Sequence, residues 1–358
     1  NNSKSHWKNC LKIVQSNLYT SALITMKIGS YALHTPVALA PMAGITDKPF
    51  RQLARTFGAG WAVSEMITSD PSLQHTKKTQ NRADHAGETG VIAVQIAGSD
   101  QAQMAAAARH NVALGAQVID INMGCPAKKV CNVLAGSALL QNEPLVAAIL
   151  QAVVTAVDVP VTLKTRLGWC DEHKNIHTIA RIAENAGIAA LAVHGRTRTQ
   201  MYKGAAEYDL IAEVKHSLSI PLWVNGDLTS PHKAAEVLQQ TDADGLMIGR
   251  AAQGQPWLFR DVQYYLQHGR LPEALSVAEC SEVVLQHIQA MHHFYGDIAG
   301  MRIARKHIGW YIDALPNGEA TRRSINQLNS AAAQYDAVAA YLATLPQHTD
   351  SWVCAYRQ

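Results

Sequence analysis

From position 37 onward the chain alternates between two hydrophobic rhythms. Short runs of Val, Ile, Leu and Ala predict strands at Val37–Ala40, Trp61–Ser64, Val91–Ile96, Val118–Asn122, Val161–Lys164, Leu191–His194, Leu222–Asn225 and Leu246–Ile248. Ala-rich amphipathic stretches such as Gln101–Val112 and Pro231–Gln239 lie between several of them and predict helices. The strands are apolar without strict alternation, the pattern of a sheet covered on both faces. Eight strand-then-helix units in about 240 residues predict an α/β protein built as a (β/α)8 TIM barrel rather than an open doubly wound sheet. No GxGxxG follows any strand, which weakens a dinucleotide-binding sheet further.

Beyond about position 270 the strand signal stops. Leu271-Pro272-Glu273 reads as a linker, and Ser276 to Leu345 reads as helix. Within Met301–Ile312, the residues Met301, Ala304, Ile308, Tyr311 and Ile312 share one face at helical spacing, and Arg302, Arg305 and Lys306 occupy the other. That basic side is either an ordinary solvated face or a surface that tracks the phosphates of a nucleic acid, and Arg322 with Arg323 favours the second. The chain thus divides into a barrel over 26–270, an all-α domain over 276–345 and a tail over 346–358. Residues 1–25 read as an extension without function, since Lys4, Lys8 and Lys12 interrupt a weakly apolar stretch before Met26-Lys27-Ile28-Gly29, which looks like a natural start of the folded protein.

Composition narrows the class. Apolar types make up 48% of the 358 residues and charged types 16%, enough for a sizeable core and too apolar for disorder. A net charge of +3 excludes a histone-like polycation but leaves room for a local basic face. No run of about 18 apolar residues predicts a membrane span. The six cysteines, Cys10, Cys125, Cys131, Cys170, Cys280 and Cys354, form no CxxC pair, so neither a disulfide framework nor a metal site is expected. With no secretory signal, the expected location is the cytoplasm.

Polar residues punctuate the same end of every predicted strand: Pro41-Met42-Ala43-Gly44, Ser64-Glu65, Gln95, Asn122, Lys164 with Arg166, His194-Gly195-Arg196, Asn225-Gly226-Asp227 and Gly249-Arg250. In a barrel these carboxyl ends converge on one face and imply a polar pocket there. Asn122 opens the loop Gly124-Cys125-Pro126-Ala127-Lys128-Lys129, which holds Cys125 at the pocket mouth. A thiol of ordinary pKa, about 8.5, is protonated at neutral pH and donates a proton, whereas a nucleophile needs an adjacent base. Lys164 ends a buried run and is either a Schiff-base lysine or a cation that stabilises negative charge on a bound ring. The loops after strands seven and eight suit a phosphate, with glycines for close approach and Arg250 as a fork. Phosphate there, Lys164 at strand five and Gln95 at strand three together suit FMN, with Gln95 on a ring edge and Lys164 near N1 and O2 of the flavin.

Taken together, Ala40-Pro41-Met42-Ala43-Gly44-Ile45-Thr46-Asp47, Val94-Gln95-Ile96-Ala97-Gly98, Asp120-Ile121-Asn122-Met123-Gly124-Cys125-Pro126, His194-Gly195-Arg196-Thr197 and Met247-Ile248-Gly249-Arg250 resemble the tRNA-dihydrouridine synthases, nearest their bacterial B subgroup. The resemblance runs from Met26 to about Leu345. It implies an FMN-bearing barrel, a helical tRNA-binding domain, and NADPH, or NADH, as reductant. It implies FMN contacts from Pro41, Met42, Ala43, Gln95, Lys164, Asn225, Gly226, Asp227, Gly249 and Arg250, with His194 nearby. Cys125 becomes the general acid, and Asn122, Lys128 and Arg166 hold the target base. Hydride from flavin N5 would add to C6 of a D-loop uridine and Cys125 would protonate C5, giving 5,6-dihydrouridine, in a monomer. Three alternatives remain: a small-molecule pyrimidine dehydrogenase resembling dihydroorotate dehydrogenase, a Schiff-base aldolase, and a non-catalytic RNA-binding protein.

Overall fold

Parallel strands buried on both faces need helices outside and side chains inside, and here the sheet closes on itself. In the computed structural model, which describes residues 26–346 apart from Gln74, a parallel sheet runs β4-β3-β11-β10-β9-β8-β7-β6-β5. Its strands are β3 (Val37–Leu39), β4 (Trp61–Ala62), β5 (Ile67–Thr68), β6 (Ala93–Ala97), β7 (Val118–Met123), β8 (Val161–Arg166), β9 (Ala190–His194), β10 (Leu222–Asn225) and β11 (Gly245–Ile248). The extension over 1–25 and the tail beyond Pro346 lie outside the described residues.

The second predicted strand is split, and the split closes the barrel. β4 pairs with β3 through Ala38↔Trp61, Val63 bridges to Ala93, and β5 pairs with β6 through Ile67↔Ile96. One stave therefore hands over from one neighbour to the other, making a ring of eight. The break has a local cause: Ser64 Oγ accepts the backbone N–H of Gln95 at 3.0 Å, replacing a ladder bond and letting Glu65 leave the sheet.

The floor of the barrel was not predicted. β1 (Met26–Ile28) and β2 (Tyr31–Leu33) form an antiparallel hairpin whose Met26, Ile28 and Leu33 are buried against Trp61 and Trp223, themselves stacked at 5.8 Å. Gly29 at its turn has φ +56, and a Cβ there would strike the Pro160 ring. Strands of three residues are too short to show a period.

Around the barrel, helices Lys48–Thr56, Gln101–Ala113, Glu143–Ala156, Ile176–Asn185, Asp209–Ser217, Pro231–Thr241 and Leu258–His268 cover the outer face. Four more follow: Val277–Tyr295, which starts with a Ser276/Glu279 capping box, then Asp297–Ile312, Gly318–Ile325 and Ala331–Ala343. The predicted apolar face, Met301, Ala304, Ile308, Tyr311 and Ile312, is buried in full. Among the described residues no helix is long and apolar enough to cross a membrane.

Helices Val277–Tyr295 and Asp297–Ile312 meet the barrel at an aromatic wedge. Phe50 lies 5.5 Å from the ring of His287 and 5.8 Å from that of His307, and the two imidazoles are 4.9 Å apart. His287 Nδ1 pairs with Tyr311 Oη at 3.0 Å, while Nε2 of each histidine is buried with no hydrogen-bond partner among the described residues. Burial holds His287 down at about 3 and His307 well below the ordinary imidazole range, so both are neutral.

The unfolded chain protonates these imidazoles below about pH 6.5 and the folded chain does not, so stability falls from there toward pH 3. The slope is about 1.4 kcal/mol per pH unit for each histidine. Asp47 and Asp120, each raised to about 6 by burial, act with the opposite sign between about pH 4 and 6, so the contribution is read as a difference between proteins. On acidification from neutral pH, His307→Phe is expected to lose less thermal stability than the parent chain. Equal losses in calorimetry would mean that the folded imidazole accepts the proton.

Candidate active site at the barrel mouth

The carboxyl ends of the strands enclose a cavity of about 720 Å³. Its walls include Pro41, Met42, Ala43, Gln95, Asn122, Cys125, Lys164, Arg166, His194, Asn225, Gly226, Asp227, Gly249 and Arg250. The polar strand ends and the Cys125 loop point to these residues in the sequence, and the barrel brings them together. Lys128 does not line this cavity; it is exposed at the start of the short helix Lys128–Cys131. Arg302, Arg305 and Lys306 belong to helix Asp297–Ile312 and are likewise absent from its walls.

One side of the pocket is a chain of amides leading to the thiol. Gln95 and Asp120 are register partners on β6 and β7, so both side chains point inward. Gln95 Nε2 donates to Asp120 Oδ2 at 2.7 Å, and Asn122 Nδ2 donates to Gln95 Oε1 at 2.8 Å. Asn122 Oδ1 then accepts the backbone N–H groups of Gly124 (3.2 Å) and Cys125 (2.9 Å). The Cys125 carbonyl is held by Ser137, through its N–H at 3.1 Å and its hydroxyl at 2.9 Å. Asn122 therefore fixes the cysteine loop with both ends of its amide. Burial pushes the Cys125 thiol up, against the pull of nearby Arg166 and Lys164. The sulfur stays protonated at neutral pH, as a proton donor requires.

The opposite side is cationic. Lys164 Nζ donates to Asn225 Oδ1 at 3.0 Å, and Asn225 Nδ2 is anchored on the Met247 carbonyl at 2.7 Å. Burial, with Arg166 close by, lowers Lys164 to about 8. Arg166, 2% exposed, donates from Nε to the Gly124 carbonyl at 2.7 Å and from Nη1 to Thr197 and Met201 carbonyls, so it braces the cysteine loop from outside. His194 is held well below its ordinary range by burial and by Arg166, Lys164, Arg196 and Arg250, and so is neutral.

Asp227 has φ +47, and its carboxylate is engaged by Arg196 at 2.9 and 2.6 Å and by the Ala206 N–H at 2.9 Å. Arg250 is half-exposed and 3.7 Å from the same carboxylate. Its guanidinium lies 4.5 Å from the Tyr202 ring centre, with Arg166 at 5.5 Å.

Sequence pattern alone assigns no role to Asp120, Arg196 or Tyr202. Asp120 was legible in principle, since it lies two positions before Asn122 on one strand and so on the same face. Arg196 belongs to the run His194-Gly195-Arg196-Thr197, but its partner Asp227 is 31 positions away. Nothing marked Tyr202, which lies in the loop after β9. Lys164, Arg166 and Arg250 line the cavity with one carboxylate, Asp227, which is already engaged by Arg196 from behind, so the cavity suits an anionic ligand. Close approach is open at Gly249, where a Cβ would meet Ala40 and Met42 only at ordinary contact, 3.7 Å.

Comparison with known proteins sets this site in context. A family model described as "Dihydrouridine synthase (Dus)" matches residues 38–346. The chain is 58% identical over 309 residues to tRNA-dihydrouridine synthase B of Pseudomonas syringae pv. tomato, covering 86% of this chain and 92% of that protein. It is 54% identical over 316 residues to the protein of the same name from Vibrio cholerae, covering 88% and 98%. The corresponding Xanthomonas campestris protein is 57% identical over 309 residues, covering 86% and 93%. Among solved structures, a 2-naphthoyl-CoA reductase in complex with 2-naphthoyl-CoA superposes with a TM-score of 0.54 at 12% identity, over 69% of this chain and 52% of that one, a likeness of fold.

The raised thiol has a direct chemical consequence. At mildly alkaline pH, Cys125 is expected to react with iodoacetamide more slowly than glutathione does and to gain on it as the pH rises. Peptide mass spectrometry gives the rate; alkylation faster than glutathione would mean a thiolate, and Cys125 would not be a proton donor.

Proposed function

The chain belongs to the dihydrouridine synthase family, and from that membership we propose that it reduces the C5–C6 double bond of D-loop uridines in tRNA to 5,6-dihydrouridine, with FMN bound at the barrel mouth and NADPH as reductant. The observation that carries this reading is the position of Cys125, fixed between Asn122 and Arg166 on the wall of a cation-rich cavity, where burial pushes its thiol up.

The donor set fits a flavin phosphate and ring. Arg250, the backbone at Gly249 and the Asn225–Asp227 loop would hold the phosphate end; Pro41, Met42 and Ala43 would line the ring, Gln95 would meet its edge, and Lys164 would supply positive charge to it. Asp227 acts by keeping Arg196 in place, since a carboxylate beside a phosphate would repel it. When bound, FMN supplies the hydride, taken from NADPH, that adds to C6 of the uracil. Negative charge then develops toward C5 and O4, and Cys125 delivers its Sγ proton to C5. Arg166 and Asn122 keep the loop at the right depth for that transfer, and His194, being neutral, adds no further charge. Lys128, exposed next to the loop, meets the nucleic acid at the rim.

The base must leave its stack to enter this cavity, which costs a few kcal/mol. Contacts between the tRNA backbone and the helices over 276–345, Arg302 among them, offset that cost, while the barrel over 26–270 performs the chemistry. The protein acts as a monomer in the cytoplasm. A small-molecule pyrimidine dehydrogenase would have no use for these four helices, and the relatives that match along almost their whole length are all named for tRNA.

Cys125→Ala is expected to bind FMN and accept hydride from NADPH at near the parent rate, and then to stall. Oxidation of the reduced protein by unmodified tRNA in a single turnover should slow by about 10²–10⁴-fold, the usual worth of a positioned general acid. Cys131→Ala, which alters a buried thiol 3.6 Å from the Cys125 carbonyl, should behave as the parent does. Should Cys125→Ala react with tRNA as fast as the parent, the proton comes from another group.

A further inference from the structure

Arg302, Arg305 and Lys306 do not act as one cationic face. Arg302 is exposed, whereas Arg305 Nη2 turns inward and donates to the Leu328 carbonyl at 3.3 Å. Lys306 leaves its helix altogether: Nζ donates to the carbonyl of Gly44, in the loop that carries Pro41, Met42 and Ala43 along the cavity wall. A Cβ on Gly44 would lie 3.7 Å from that nitrogen.

The same loop is gripped from its other side. Gly44 N–H donates to Glu65 Oε1 at 2.5 Å, and Glu65 is paired with Arg82 at 3.2 Å. Beside it, Tyr295 Oη donates at 3.0 Å to Asp47 Oδ2, the N-cap of helix Lys48–Thr56. Burial lowers the Lys306 pKa and the facing carboxylates of Asp47 and Glu65 oppose the shift, so the half-buried ammonium stands among the polar groups of this junction.

We propose that Lys306 is a positioning residue for the flavin loop: it fixes the Pro41–Gly44 segment from the helical side, with Tyr295 as its neighbour, and does not contact tRNA phosphates. The cationic stem spans the junction, so the seating of the helices on the barrel sets the wall against which the cofactor lies. This inference rests on FMN binding at the barrel mouth.

The test compares Lys306→Met, Lys306→Arg, Tyr295→Phe and Arg302→Gln with the parent chain. The readouts are FMN affinity by fluorescence titration, the absorption spectrum of the bound flavin, and the salt dependence of tRNA binding. Lys306→Met is expected to weaken FMN binding roughly tenfold and shift the flavin band, with the salt slope unchanged. Lys306→Arg restores both, Tyr295→Phe gives a smaller change in the same direction, and Arg302→Gln lowers the slope by about one while leaving FMN affinity alone. If Lys306→Met keeps parental FMN affinity and spectrum, the inference is wrong, and a lowered salt slope in that variant would make Lys306 a phosphate contact instead. If the parent chain itself binds no FMN, the functional reading fails and this inference fails with it.

Discussion

Everything at the barrel mouth depends on an imbalance of buried charge. Lys164, Arg166 and Arg196 converge from the ends of β8 and β9 with Asp120 and Asp227 as counter-charges, and half-exposed Arg250 adds a fourth cation at the rim. Desolvating cations is costly, and the protein meets the cost by giving each one fixed acceptors: Asn225 for Lys164, three backbone carbonyls for Arg166, the Asp227 carboxylate for Arg196. Burial, reinforced by the same field, keeps His194 neutral. An anion in the cavity relieves the imbalance.

The cysteine loop draws its geometry from that arrangement. Arg166 and Asn122 hold Gly124 and Cys125 from opposite sides, one through a carbonyl and the other through N–H groups. A thiol clamped in this way, and shielded enough to stay protonated, differs from a cysteine activated as a nucleophile, which would need a base beside it. The side-chain relay Asn122–Gln95–Asp120 carries the clamp down into the barrel, where Thr162 completes the hydrogen bonding of Asp120 at 2.6 Å. The Gln95 wall of the cavity and the cysteine loop are thus parts of one hydrogen-bonded network.

Most of the barrel was legible because its signals are local. A strand buried on both faces is a run of apolar residues, and its exit is marked by the first polar side chain, so Lys164, His194 and Asn225 announced themselves. Hidden features depend on partners distant in sequence. Ser64 breaks a stave by accepting the N–H of Gln95, 31 positions away, and Asp227 serves Arg196 over the same separation. Helical periodicity placed Lys306 opposite the apolar face correctly, but a long flexible stem lets its charge reach sideways to Gly44, which a helical wheel does not show. The hairpin Met26–Leu33 escaped notice because three-residue strands have no period to read.

The claim that the cationic mouth is a flavin-phosphate site is tested most directly by thermal unfolding of flavin-free protein with FMN or with riboflavin, which shares the ring and lacks the phosphate. A ligand that binds only the folded state raises its stability in proportion to the logarithm of its concentration over its dissociation constant. FMN is expected to raise the midpoint by several degrees and riboflavin, at the same concentration, by far less. Equal shifts from the two ligands, or no shift from FMN, would contradict the account.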